Sequence, residues 1–294
     1  MATYTEQLFL EHFWGKAAAK DTRTGVFLDV MMRPGGSVWV DDTTSVNRIF
    51  DGRLTYQKGA AVAHMLRYMA PQDSLYFEGL RAYQQQYKYG TAVTSDLQTI
   101  MEQKYGLQLD SFFRQWVYGQ GYPMFSVKWA QHLGMTLLKV TQTTSHSSVK
   151  SFHLPLQLTL NSASGDTTVT INISDTTNYF KFNWPDNITG IVVDPEDNIV
   201  NKTGAIQHDP NLLSVYAATL PTPAIYPNPA VDGWNIDGLL PGTMLKLYDI
   251  NGKTIWAGEY AAKTFVPAQG LPKGCYLLEI RWPGAQSGYY KLVK

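Results

Sequence analysis

The chain has 294 residues, 24 basic and 24 acidic side chains and one cysteine. That length predicts two or three domains rather than one small one, and 44% hydrophobic residues exclude a disordered chain. Zero net charge, balanced on both sides of residue 123, leaves no basic stretch for nucleic acid. Charged residues make up only 16%, against about 25% in ordinary globular chains. That composition, with many Thr, Ser, Asn, Gly and Tyr, is common in exported β-rich proteins. No apolar run approaches the ~20 residues of a membrane helix. Cys275 alone can form neither an intrachain disulfide nor a cysteine zinc cluster.

Met1-Ala2-Thr3-Tyr4-Thr5-Glu6 has no basic region and no continuous apolar core, so it does not read as a secretory signal peptide. An amphipathic helical pattern starts at once, with Leu8, Phe9, Phe13 and Trp14 near helical spacing and Ala17 to Ala19 continuing it. Residues 34–54 read as a loop. The spacing predicts a helix from about Tyr56 to Tyr68, with Pro71 beyond its end. Asp73 or Ser74 is the expected cap of the next helix, through Tyr83. Thr94 or Ser95 is expected to cap another, which stops at Gly106. Asp110 opens a last helix through Phe112, Phe113, Trp116 and Val117.

At Met124 the period changes to two. Phe125–Trp129, Met135–Thr141, Phe152–Leu160, Thr167–Ile173 and Tyr179–Trp184 alternate apolar and polar residues, and Ile191–Pro195 adds a last strand. Such runs between polar turns predict a β-sandwich or meander. Residues 203–221 read as a linker punctuated by Pro210 and Pro221. A second small β unit follows. Leu245–Ile250 and Lys253–Trp256 flank Asn251-Gly252, which predicts a hairpin with a type I′ turn. Cys275–Trp282 and a segment ending at Lys294 complete it.

Chemistry is sparse. The phenol of Tyr56, at a predicted helix start, can donate a hydrogen bond to a developing oxyanion, but on composition alone a packed first-turn tyrosine explains it as well. His12, His64, His132, His146, His153 and His208 form no HExxH and no i, i+4 pair. His64 is expected to pack or make a structural hydrogen bond. Asp41-Asp42 reads as solvated loop acid, and Cys275 as a small buried hydrophobe in a strand. No G-x-S-x-G nucleophile elbow occurs.

Two segments resemble known families. Ala2–Phe9 with Glu11-His12-Phe13-Trp14-Gly15, then Thr55-Tyr56-Gln57-Lys58-Gly59-Ala60, then Phe113–Pro123, resemble, in order, the later part of an aminopeptidase N-like gluzincin catalytic domain. The resemblance makes Tyr56 the oxyanion-stabilising tyrosine. It places the HExxH helix and third-ligand glutamate upstream of Met1. Ile225-Tyr226-Pro227-Asn228-Pro229-Ala230, Leu247–Lys253, Leu271–Leu278 and Lys291–Lys294 look like a type IX secretion C-terminal sorting domain. That resemblance implies a small Ig-like β-sandwich recognised by the secretion machinery.

The expected fold is α+β and multidomain. Residues 1–123 form a partial helical peptidase domain without its zinc-binding half. An antiparallel β-sandwich spans 124–202, a linker 203–221 and the sorting domain 222–294. The expected function is that of a C-terminal fragment of an exported zinc metallo-aminopeptidase, inactive alone. In the intact family member, zinc and a peptide substrate are implied. No metal is expected to bind this chain specifically. The alternative is a non-catalytic exported surface protein with the same sorting signal. Exposed apolar surface on the helical region favours the fragment, and a sealed polar face favours the alternative.

Overall fold

The computed structural model describes residues 2–132, 134–184, 186–212, 222–239, 242–260, 263–282 and 287–294. The chain divides into two compact units. The first comprises Met1–Lys128, Leu138–Phe180 and Asp186–Gln207. The second comprises Trp129–Leu137, Lys181–Pro185 and His208–Lys294. The fold is α+β: helices first, then antiparallel sheets. The boundary at 123/124 separates helices from strands, yet both lie largely in the first unit.

Helix α1 runs Ala2–Met31 and breaks at Gly15, whose φ of 86° and ψ of 174° leave helical space. A side chain would be strained there, and glycine is not. After a loop, α2 is one short turn, Val46–Ile49. The helix expected from Tyr56 begins instead as a π-helical turn, Gly52–Lys58, and becomes α3 at Gly59–Tyr68. Residues Ala60 to Leu66 are all buried, so α3 has no solvent face over that stretch. Next come α4 (Asp73–Tyr87), α5 (Thr94–Tyr105) and α6 (Asp110–Phe112), the last continuing as a second π-helical turn, Phe113–Tyr118.

The caps differ from expectation. Gln72 and Val93 occupy the N-cap positions of α4 and α5, not Asp73/Ser74 or Thr94/Ser95. At α5 the carboxylate of Asp96 reaches back to accept from the Val93 N–H at 2.8 Å, so an acid inside the first turn satisfies the free donor. Gly106 stops α5 in the left-handed region, as expected.

Strands β1 (Pro123–His132), β2 (Met135–Thr144), β3 (Leu154–Ser162), β4 (Thr167–Ile173), β5 (Thr177–Asn183) and β6 (Ile188–Val193) follow the period-two runs. Along β3, Leu154, Leu156, Leu158 and Leu160 are buried while their neighbours are half-buried, the signature of one core-facing side. One sheet has the order β4-β3-β6. The other is β5-β2-β1-β7, where β7 is Lys202–His208. The expected linker 203–221 therefore begins as strand. Its weak alternation is physical: β7 is an edge strand, with only Ile206 half-buried. Residues 213–221 of that linker lie outside the described residues.

In the second unit, β8 (Ala224–Tyr226), β9 (Gly233–Asp237) and β12 (Thr264–Pro267) form a sheet in the order β12-β9-β8. Strands β10 (Thr243–Tyr248), β11 (Thr254–Tyr260), β13 (Cys275–Arg281) and β14 (Ser287–Val293) form another, β11-β10-β13-β14. Trp234, Ile236 and Val266 from the first share one core with Leu245, Leu247, Leu278, Ile280 and Leu292 from the second. This is a small sandwich.

The hairpin at Asn251-Gly252 forms, but not with a type I′ turn. Only Gly252 has a positive φ, 81°. The Asp249 carboxylate accepts from the Asn251 and Lys253 N–H groups, each at 2.9 Å, and the register slips between Leu247 and Tyr248. The aspartate organises the turn, so Asn251 need not adopt a left-handed conformation. Cys275 is exposed, correcting the buried assignment. In β13 the residues Tyr276, Leu278 and Ile280 face the core, so position 275 faces out.

Candidate functional site

Tyr56 sits in the π-helical turn Gly52–Lys58. π-helical turns are rare and concentrate at functional sites. The Asp51 side chain caps this one, accepting from the Leu54 N–H at 2.7 Å. Leu54 and Lys58 point inward and are buried, while Tyr56 points outward and is 42% exposed. A phenol so placed has its hydroxyl free to donate to an oxygen brought from solvent.

The inward residues fix the turn. Lys58 is 2% exposed, and its ammonium donates to the carbonyls of Gly36 at 2.8 Å and Gly119 at 3.2 Å. Burial, with a smaller contribution from the nearby Arg53 guanidinium, pushes its pKa down to about 7. Arg53 donates to Val30 O at 3.2 Å and Gly35 O at 2.9 Å. Gly36 has a φ of 104°, and a Cβ there would lie 2.5 Å from Leu54 Cδ2, so only glycine lets this loop close on the turn.

The same loop is held from the other side. Gly36 N donates to Gln120 Oε1 at 2.9 Å, Ser145 Oγ donates to Pro34 O at 2.8 Å, and Trp39 N donates to Val117 O at 3.0 Å. Gln115 anchors the second π-helical turn to the segment that leads into β3, donating to Ser151 O and accepting from His153 N. Two of the three motifs noted in the sequence, around Tyr56 and around Phe113–Pro123, thus meet across one loop. Composition had no means of singling out Lys58 or Gln120 as the joints. A lysine four residues after Leu54, on the inward side of a helix that continues into the buried run Ala60–Leu66, is the signal that the residues themselves carry.

Other candidates resolve into structure. His64 is buried, with Nδ1 3.3 Å from the Tyr4 hydroxyl. Burial, then Arg23 and Arg67, push its pKa down to about 3. Arg67 pairs with both Glu11 and Asp73, tying α1 to the start of α4. Asp41 pairs with Arg48 at 3.2 Å, and Asp42 accepts from Thr44 N and Oγ1, so the acid pair serves its own loop. A cavity of about 470 Å³ in the same unit is lined by Arg23, His64, Arg67, Tyr68 and Asn198 among others, without Tyr56. Among the described residues no three His, Cys, Asp or Glu side chains gather as a metal site. The described residues thus do not build the zinc site that the gluzincin resemblance implies for the intact family member.

In the second unit the four sorting motifs converge. Asn228 Oδ1 accepts from Val293 N at 2.8 Å, and Asn228 Nδ2 donates to Lys291 O at 3.0 Å. Gly274 and Lys294 exchange backbone hydrogen bonds, and Lys294 Nζ donates to Ala268 O and Leu271 O at 2.6 Å each. No helix among the described residues is long and apolar enough to cross a membrane.

Residues 1–116 match the family model described as Peptidase family M1 domain, and residues 224–293 the one described as Secretion system C-terminal sorting domain. Aminopeptidase N of Lactococcus lactis subsp. lactis is 32% identical over 89 residues, 30% of this chain and 10% of that protein. The puromycin-sensitive aminopeptidase of Caenorhabditis elegans is 30% identical over 105 residues, 36% of this chain and 11% of that protein. Alanine/arginine aminopeptidase of Saccharomyces cerevisiae is 27% identical over 155 residues, 49% of this chain and 18% of that protein. The chain spans between 10% and 18% of the length of these relatives. A crystal structure of Legionella pneumophila aminopeptidase A in complex with aspartic acid is similar in fold, with a TM-score of 0.56 at 15% identity, covering 69% of this chain and 23% of that one. The chain thus carries a Peptidase family M1 region at residues 1–116 and a secretion system C-terminal sorting domain at residues 224–293, the fusion that the sequence motifs imply.

Proposed function

We propose that residues 1–116 supply the oxyanion-stabilising side of a zinc aminopeptidase site, in a polypeptide exported through a type IX secretion route by its sorting domain. The carrying observation is Tyr56: an outward phenol on a π-helical turn whose inward residues are locked by backbone-directed hydrogen bonds. Its hydroxyl donates to the substrate carbonyl oxygen as negative charge develops there, and the rigid turn spares the reorganisation that a mobile donor would require. Zinc, where the family's ligand set is present, supplies Lewis-acid polarisation and a water nucleophile. That ligand set is not in this sequence, so the 294 residues by themselves do not hydrolyse peptides.

A specific observation favours this over a non-catalytic surface protein. Phe9, Phe13 and Trp14 of α1 are exposed, with ring centroids of Phe9 and Phe13 4.5 Å apart and of Phe9 and Trp14 5.4 Å apart. A sealed independent module would present a polar surface there.

Two measurements test the proposal. The purified 294-residue chain is expected to carry no stoichiometric zinc and to leave aminoacyl-4-nitroanilides intact; zinc at one equivalent together with turnover overturns it. In a longer polypeptide that includes an in-frame HExxH encoded upstream of the Met1 codon, Tyr56→Phe should lower kcat about 10²–10³-fold with little change in KM, the usual loss of one oxyanion donor. For export, the chain is placed behind a cleavable signal peptide in a host with a type IX route, where deletion from Lys291 onward should leave it in the periplasm. Unchanged release into the medium would refute the export reading.

A further inference from the structure

We propose that Lys58 is the positioning residue for Tyr56, setting the direction of its phenol from below. This rests on the proposed role of Tyr56, but its test reads ground-state geometry and so fails or succeeds separately. Lys58 is two residues from Tyr56 in the same π-helical turn, buried on the opposite side. Its Nζ reaches two carbonyls distant in sequence, Gly36 O at 2.8 Å and Gly119 O at 3.2 Å. Gly36 belongs to the loop that closes on Leu54 of that turn, and Gly119 immediately follows the second π-helical turn, Phe113–Tyr118.

One ammonium therefore joins three segments at once: the Tyr56 turn, the Gly35-Gly36 loop and the end of the second π-helical turn; Arg53 and Gln120 each join the loop to one of the other two. A π-helical turn is intrinsically less stable than the α-helix it interrupts, so it persists only when tertiary contacts hold its register. Leu54, four residues before Lys58, supplies apolar contact alone. Arg53 ties the start of the turn to Val30 O and Gly35 O, and Lys58 supplies the directed bonds at its end, which cannot be satisfied if the turn relaxes to α-helical geometry and rotates the following residues. Such a rotation would swing the Tyr56 phenol, whose hydroxyl has no hydrogen-bond partner among the described residues to resist it. A desolvated lysine is costly to bury, and core stability alone is served better by a leucine or methionine. The directed bonds are what that cost secures.

The test places 3-fluorotyrosine at position 56 alone in the full chain and records its fluorine line in wild type and in Lys58→Met. Lys58→Met keeps the length of the side chain and removes the donors. The expected result is a displaced or broadened line at position 56. Amide exchange over 34–39 and 119–122 should be about tenfold faster, the factor for loss of one hydrogen bond to a charged group, while 94–105 is unchanged. A residue that only added stability would alter the unfolded fraction and leave the folded-state line in place. A superimposable line in a folded Lys58→Met chain overturns the proposal. If Lys58→Met does not fold, Lys58→Arg carries the same readout. It retains a cation and planar donors, and the line should stay nearer to wild type than in Lys58→Gln. Identical lines in Lys58→Arg, Lys58→Gln and wild type overturn it equally.

Discussion

Replacing His64 by glutamine should remove about 3 kcal/mol of the first unit's acid destabilisation between pH 7 and pH 4. In the wild type, burial and the Arg23 and Arg67 cations hold the His64 imidazole down to about pKa 3, against 6.5 in an unfolded chain. The unfolded state takes up a proton below pH 6.5 that the folded state refuses until about pH 3, so this stability is present above pH 6.5 and lost as pH falls. At 1.36 kcal/mol per unit, lowering the pH from 7 to 4 costs about 3 kcal/mol. Asp194 works the other way. Burial, only partly offset by hydrogen bonds from Asn198 N and Ile199 N, raises its carboxyl to about 6 from 3.8. The folded state keeps that proton where the unfolded state has lost it, so stability is present below pH 3.8 and lost as pH rises through 6. The same fall to pH 4 therefore contributes about 2 kcal/mol. Taken alone, the pair contributes a loss of roughly 1 kcal/mol on going to pH 4, and with His64→Gln the Asp194 contribution of about 2 kcal/mol is left unopposed. Pulsed hydrogen exchange across a urea gradient, read on the peptide spanning 59–68, isolates the first unit. Comparing the pH 7-to-4 change in the two chains cancels every other titrating group. Changes that agree within about 0.5 kcal/mol, the usual limit of additivity, would refute the reasoning.

Three further outcomes follow from particular contacts. Gly36→Ala puts a Cβ 2.5 Å from Leu54 Cδ2 at a φ of 104°; it should destabilise the first unit by about 1–3 kcal/mol in urea unfolding, and an unchanged midpoint counts against the packing of the loop on the Tyr56 turn. Trp234→Ala empties the centre of the sorting-domain core, where Trp234 is wholly buried; it should cost the second unit about 3–5 kcal/mol, measured by exchange over 275–281, with the peptide 59–68 unaffected. Glu279→Gln removes a carboxylate that hydrogen bonds from Ser287 and Tyr248, then Arg281, hold down to about 2. In wild type its stability is present above pH 4.5 and is lost as pH falls towards 2, so the variant's second unit should melt with a flatter acid dependence between those limits, checked by thermal scans at pH 2.5 and 5.

The fold was legible where burial is one-sided. Leu154, Leu156, Leu158 and Leu160 alternate because β3 has one core face, and the alternation gives strand and register together. At β7 legibility failed because an edge strand with almost no buried side leaves no period to read. Caps failed for a related reason. Asp96 does the work of a cap from inside the first turn, so the residue at the boundary, Val93, carries no polar signal. At the Asp249 turn, Asn251-Gly252 correctly marks a hairpin, but a side-chain acceptor one residue outside the strand overrides the turn type the dipeptide alone prefers. At the α5 start and at the Asp249 turn, the side-chain atom that satisfies the backbone lies two or three residues from where propensity places it.

The site was legible only as motifs. Tyr56 stands in a recognisable run, and that run locates a phenol without saying what aims it. The aiming atoms are carbonyl oxygens of Gly36 and Gly119, 22 and 61 residues from Lys58. Every residue has a carbonyl, so no residue type announces that this one receives a buried ammonium. What the sequence does carry is the conflict the structure resolves: a charged lysine facing the interior beside Leu54, followed directly by the uniformly buried Ala60–Leu66. An unpaired ammonium there would unfold the turn, so its presence already requires directed acceptors from elsewhere in the chain. Two glycines fit that requirement for distinct reasons. Gly36 takes a φ of 104° against Leu54, and a Cβ on Gly119 would lie 2.4 Å from the Gln115 carbonyl oxygen. Both are places where backbone must approach closely enough to serve as ligand for a side chain. A buried lysine and close-approach glycines, read together, mark a positioning device more specifically than the tyrosine motif marks a catalytic one.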